Sequence, residues 1–87
     1  MVESAFPRVI ANLEKNRQER LRIALDQYQG VDLIDIRVTT RMTEATDVWS
    51  PTKKGLSLRV VMLPDLIAAL QRAEADARAL GLIGGAA

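Results

Sequence analysis

Through the middle of the chain, apolar and polar residues alternate with a period of two. Leu21, Ile23 and Leu25 are interleaved with Arg20, Arg22, Ala24 and Asp26, and Leu33-Ile34-Asp35-Ile36-Arg37 repeats the pattern. Such alternation marks strands with one face buried and the other free. Gln29-Gly30 lies between them and fits a two-residue hairpin turn, because glycine accepts a positive φ. Pairing Tyr28 with Val31 then sets Leu25 opposite Ile34, Ile23 opposite Ile36 and Leu21 opposite Val38. A slip of one residue would destroy this aliphatic match. The same register sets Arg22 opposite Arg37, and Ala24 opposite Asp35, on the other face.

The first strand is expected over about residues 20–28, and the second continues through Thr39-Thr40-Arg41-Met42. After a polar connection at Glu44–Asp47, Val48-Trp49-Ser50 predicts a short third strand stopped by Pro51, which cannot donate to a ladder. Thr52-Lys53-Lys54-Gly55 reads as a turn. Leu56, Leu58, Val60 and Met62 then form the buried side of a fourth strand, opposite Ser57 and Arg59. Pro64 in a first turn, with Asp65 beside the positive dipole end, predicts a helix. Its stripe is Leu63, Leu66, Ile67, Leu70, Ala73, Ala77 and Leu80. Glu74 and Arg78 can pair one turn apart, and Gly81 is the stop, with Leu82 packing back. The stripe is expected to pack on the sheet first and on another subunit second, where Ala68, Ala69, Ala75 and Ala79 let a second helix approach. Pro7, Val9, Ile10 and Leu13 fit either a short helix or a partly ordered arm. The expected organisation is an arm over 1–18, a domain over 19–83 and a loose tail over 84–87. The fold class is α+β, a four-stranded antiparallel sheet followed by one C-terminal helix.

Composition narrows the chemistry. The 87 residues include no cysteine and no histidine, so disulfides, zinc sites and thiolate or imidazole catalysis are excluded. No cofactor is expected. A chain this short buries a modest core and usually needs added burial; a homodimer is the source left. The amino terminus lacks the features of a signal peptide, and no apolar run would span a bilayer. An intracellular protein of cytoplasm, nucleoid or nucleus, with no membrane partner, is expected. The net charge of +1 says little, but Lys15, Arg17, Arg20 and Arg22 crowd around a lone Glu19. Asp32, Asp35 and Asp47 are scattered without a paired-carboxylate arrangement, so an enzyme is not expected.

The polar face admits two readings. Arg22 and Arg37 form a solvated face balanced by Asp35, or they await a phosphate backbone. A sequence-tolerant single-strand binder needs cations along a groove and rings on which bases stack. Tyr28 shares the arginine side by parity and either stacks on a base or covers the hairpin turn. Trp49 is a stacking platform or caps the core. Lys53 and Lys54 are phosphate contacts or solubilising turn residues.

Several stretches in order resemble the positive-cofactor-four family of transcriptional coactivators, which bind single-stranded DNA. They are the hairpin ending Tyr28-Gln29-Gly30, then Leu33-Ile34-Asp35-Ile36-Arg37, then Pro51-Thr52-Lys53-Lys54-Gly55-Leu56-Ser57-Leu58. A helix with Leu66 and Leu70 follows, and the likeness covers roughly residues 19–70. The resemblance implies a curved sheet, helices that pair two copies, and grooves for unpaired strands. It also implies Tyr28 as a stacking ring, Arg37, Lys53 and Lys54 at phosphates, and Gly55 where the backbone meets the strand. Gln29, Val31, Thr40 and Ser50 depart from the family's basic or aromatic positions, which implies weaker, less salt-sensitive binding. With Arg22 and Trp49 added, the candidate nucleic-acid site is Arg22, Tyr28, Arg37, Trp49, Lys53, Lys54 and Gly55. Single-stranded DNA is the expected partner, RNA being left open, together with the transcription machinery. The alternative is a dimeric adaptor of the same fold with weak or no nucleic-acid binding.

Overall fold

The structure is a computed structural model that describes residues 5–84. Four strands, β1 (Arg8–Asn16), β2 (Glu19–Tyr28), β3 (Val31–Thr40) and β4 (Ser50–Arg59), form one antiparallel sheet in the order β1-β2-β3-β4. A 3-10 turn (Val60–Met62) leads into the helix α1 (Leu63–Ala79). The β2–β3 hairpin has the expected register from Tyr28↔Val31 through Arg22↔Arg37 to Leu21↔Val38. Its two turn residues, Gln29 (φ 52°) and Gly30 (φ 81°), both lie in the left-handed region. That is the requirement of the turn whose twist matches a right-handed hairpin.

Three expectations are corrected. Residues 8–16 of the lead-in form an edge strand, neither a helix nor an arm. Ala11 and Leu13 pair with Ile23 and Leu21 on the aliphatic face, Val9 pairs with Ala24 on the other, and the pairing shifts between Val9 and Ala11. Ile10 is therefore an extra, bulged residue, and its insertion makes Val9, Ile10 and Leu13 look helical. The turn back to β2 is set by Asn16, whose Oδ1 accepts from the Gln18 N–H at 2.9 Å. Residues 1–4 of the expected arm, and 85–87 of the expected tail, lie outside the described residues.

The second correction concerns 41–59. β3 stops at Thr40, residues 41–49 are a loop, and Ser50–Arg59 is a single strand, so Lys53-Lys54-Gly55 is not a turn. Pro51 is tolerated because β4 is an edge strand with a free outer side. The pairs Arg37↔Gly55 and Thr39↔Pro51 are consecutive in the ladder. Residues 52–54 therefore bulge out opposite Val38 alone. Val60–Met62, expected as strand, winds into the 3-10 turn that redirects the chain to α1.

The third correction is the helix. Pro64 lies in its first turn with Asp65 behind it, Arg78 donates to Glu74 at 3.0 Å, and none of its residues is buried. Its end is capped through Gly81 (φ 76°), with Leu82 N–H on Ala77 O at 2.8 Å and Gly81 N–H on Arg78 O at 3.1 Å. Among the described residues α1 packs chiefly on the 3-10 turn and does not lie over the sheet. The radius of gyration is 15.8 Å, against about 12 Å for a compact chain of this length. Consequently the hydrophobic core is small: Ala24, Ile34 and Val38 are its buried members. No helix among the described residues is long and apolar enough to cross a membrane.

Candidate nucleic-acid interface

Strand parity assigns Arg20, Arg22, Ala24, Asp26 and Tyr28 of β2 to one face, opposite Thr39, Arg37, Asp35, Leu33 and Val31 of β3. Gly55 and Ser57 of β4 continue that face. It is less open than alternation suggests: Asp35 is 7% and Ala24 1% exposed. Arg22 and Arg37 lie across the face toward Asp35 rather than standing into solvent, covering it with their aliphatic stems.

Asp35 is the hub. Arg37 donates to it from Nη2 at 2.8 Å and from Nε at 3.2 Å, Ser57 Oγ at 2.7 Å, and Arg22 Nη2 at 3.5 Å. The Arg37 hydrogen bonds hold the Asp35 carboxyl below the usual carboxylate range, against burial that pushes it up, with Ser57 adding to the lowering. The same pairing raises Arg37. Two guanidiniums meet one carboxylate, so the like-charge cost of placing Arg22 opposite Arg37, roughly 0.2–1 kcal/mol, is relieved and one positive charge is left over. Arg22 is the looser of the two: its Nε is buried with no partner among the described residues.

Arg37 also reaches the bulge of β4. Its Nη1 donates to Thr52 O at 3.1 Å, while Thr52 Oγ1 donates to Val38 O at 2.7 Å and accepts from Lys54 N–H at 3.1 Å. These bonds hold the bulge against β3, with exposed Lys53 and Lys54 on it. Neither lysine has an ion pair among the described residues. Gly55 closes the bulge at φ 149°, where a Cβ would fall on the Ile36 carbonyl oxygen and 2.8 Å from Arg37 Cα. Its glycine requirement therefore has a local cause, the close crossing of β4 over β3.

Tyr28 is 65% exposed at the far end of β2, on the arginine face. Trp49 sits in the 41–49 loop at the opposite end, where Arg20 Cζ lies 4.0 Å and Arg41 Cζ 4.7 Å from the ring centroid. The fold thus joins Arg22 and Arg37 through Asp35, ties Arg37 to the bulge that carries Lys53, Lys54 and Gly55, and leaves Tyr28 and Trp49 at the two ends. Lys54 is also near enough to Glu19 to add to the lowering of that carboxylate, which comes first from Asn16 and Lys15. Sequence reasoning missed the bracing parts, Ser57 and Thr52, and the Arg20–Trp49–Arg41 contact. Parity pointed to Ser57 and Arg20; nothing local pointed to Arg41.

The profile of the family described as Transcriptional Coactivator p15 (PC4) matches residues 15–69, from the end of β1 into α1. The chain belongs to this family. Among solved structures it is similar to BPSL1147, a PC4 homologue from Burkholderia pseudomallei K96243. The tetragonal crystal form is 28% identical with a TM-score of 0.69, covering 78% of this chain and 97% of that one. The orthorhombic form is 26% identical with a TM-score of 0.70, covering 84% and 96%. No curated protein matches significantly. The PC4-family assignment accounts for the shared order of four strands and helix.

Proposed function

We propose that this PC4-family protein is a homodimeric, non-enzymatic binder of single-stranded DNA that holds unwound strands for the transcription machinery inside the cell. The observation that carries the reading is the polar face itself. Braced guanidiniums occupy its middle, two exposed lysines without an ion pair among the described residues ride the adjoining bulge, and a largely exposed tyrosine stands at its end. Phosphates meet the cations, and bases stack on Tyr28 with roughly 1–3 kcal/mol each. Phosphate contacts and ring stacking carry no base identity, so binding through them is tolerant of sequence.

The dimer supplies the burial the monomer lacks. Ile67, Leu70, Leu80 and Leu82 are about half exposed or more. Covering the exposed part of such side chains contributes on the order of 1–2 kcal/mol each, and a second copy's helix has the matching stripe.

Fluorescence anisotropy with labelled single- and double-stranded oligonucleotides tests the reading. Lys53→Ala/Lys54→Ala should weaken single-strand binding alike for all sequences and reduce the slope of log affinity against log salt by about 0.7 per lost phosphate contact. Wild-type protein that binds neither form in a salt-sensitive way favours the adaptor, a reading consistent with Asp35 balancing one of the two charges of Arg22 and Arg37.

A further inference from the structure

We propose that Arg20 is a further phosphate-binding position at the loop end of the polar face, and that Trp49 serves it as a rack rather than receiving a base. The inference rests on the single-strand reading above and extends its site by one station. Arg20 pairs with Thr39 on one side and Glu14 on the other, which puts it on the same face as Arg22. Two residues along a strand is about 6.6 Å, a step comparable with that between successive phosphates of an extended strand.

The guanidinium of Arg20 sits over the indole, its Cζ 4.0 Å from the Trp49 ring centroid. Among the described residues it makes no hydrogen bond or ion pair, not even with its cross-strand neighbour Glu14. Stacking occupies a face of a guanidinium and leaves its edge of N–H donors free. A flat, fixed guanidinium with an open edge is preorganised for the oxygens of a phosphodiester. A recess of about 120 Å³ lies beside it, lined by Glu14, Asn16, Arg17, Arg20, Arg41 and Trp49. Glu44 is engaged by Arg17 at 3.5 Å and Glu19 by Lys15 at 3.3 Å, so that around the recess Lys15, Arg17, Arg20 and Arg41 outnumber Glu14, Glu19 and Glu44.

Arg41 fixes the rack. Its Nε donates to Arg17 O at 3.0 Å, its Nη1 to Thr46 O at 3.3 Å, and its backbone N–H to Gln18 O at 3.1 Å. The 41–49 loop is thereby fastened to the β1–β2 turn, and the ring is fixed over β2. Guanidiniums on the ring also exclude a base from the area they cover. Trp49 is therefore a positioning residue for Arg20.

Anisotropy titrations with oligothymidylates of about 6 and about 20 nucleotides, bracketing the usual site sizes, test this. Arg20→Gln should lower affinity for the long oligomer several-fold, barely change that for the short one, and reduce the salt slope by about 0.7. Trp49→Leu should reproduce both changes, and Trp49→Phe, which keeps a ring for the cation, should recover part of the loss. Near-ultraviolet circular dichroism checks that Arg20→Gln is folded. If Arg20→Gln binds with wild-type affinity and slope while Lys53→Ala/Lys54→Ala is impaired, the Arg20 station is wrong and the single-strand reading stands. Loss of affinity in Trp49→Leu with an unchanged salt slope means that the ring stacks on a base, which also overturns the proposal. Wild-type protein without salt-sensitive single-strand binding overturns both.

Discussion

At the scale of the residue, Asp35 decides how the polar face works. A carboxylate is the wrong sign for meeting phosphates, yet it is 7% exposed and accepts from Arg37, Ser57 and Arg22. Its effect is to fix where the guanidiniums lie. Because folding lowers its pKa, it adds stability that is present above its unfolded value, about 3.9. That stability is lost as pH falls from there through the lower folded value. Asp35→Asn should therefore destabilise the protein at pH 7 and flatten the loss of stability on acidification below about pH 4. Urea titrations at a series of pH values measure both, and an unchanged acid slope in the variant would discount the network. The carboxylate's place opposite Ala24 was legible from register. Its burial was not, because alternation specifies which face a residue takes and not whether long neighbours fold over it.

The elements show where a local pattern is ambiguous. β2 and β3 were readable because a two-residue turn and an unbroken alternation leave one register. β1 and β4 were not, and the reason in each is a bulge. An extra residue at Ile10 breaks the period of two, and the three-residue bulge at 52–54 puts Thr, Lys and Lys before a glycine, the composition of a turn. A turn reverses the chain; a bulge carries the strand through. Gly55 separates them experimentally. In a solvent-exposed turn a Gly→Ala change at positive φ costs on the order of 1 kcal/mol. Here the added Cβ also meets the β3 backbone, so Gly55→Ala should cost roughly 2–4 kcal/mol. Chemical denaturation reads this directly, and a loss below 1 kcal/mol would argue against the close β3–β4 crossing.

For the whole molecule, the issue is what covers the helix. A helix in a protein takes most of its stability from packing of its apolar face, and among the described residues the 17-residue α1 does not pack over the sheet. Leu70, 57% exposed, supplies the test. If the chain were a monomer, Leu70→Glu would be nearly neutral, within about 0.5 kcal/mol. In a helix-paired dimer it should shift sedimentation equilibrium to the monomer and abolish the concentration dependence of Tm. The sequence by itself determined the hairpin register, the polar face that carries Arg22, Arg37 and Tyr28, and the helix with its stop at Gly81. Each follows from contacts between near neighbours in the chain or from the parity of a strand. Only the tertiary structure decided that β1 is a strand, that Lys53 and Lys54 ride a bulge held by Arg37, that Trp49 lies against Arg20 and Arg41, and that α1 leaves its own sheet. Those depend on which distant groups meet, and an apolar stripe or an arginine carries no local mark of its partner.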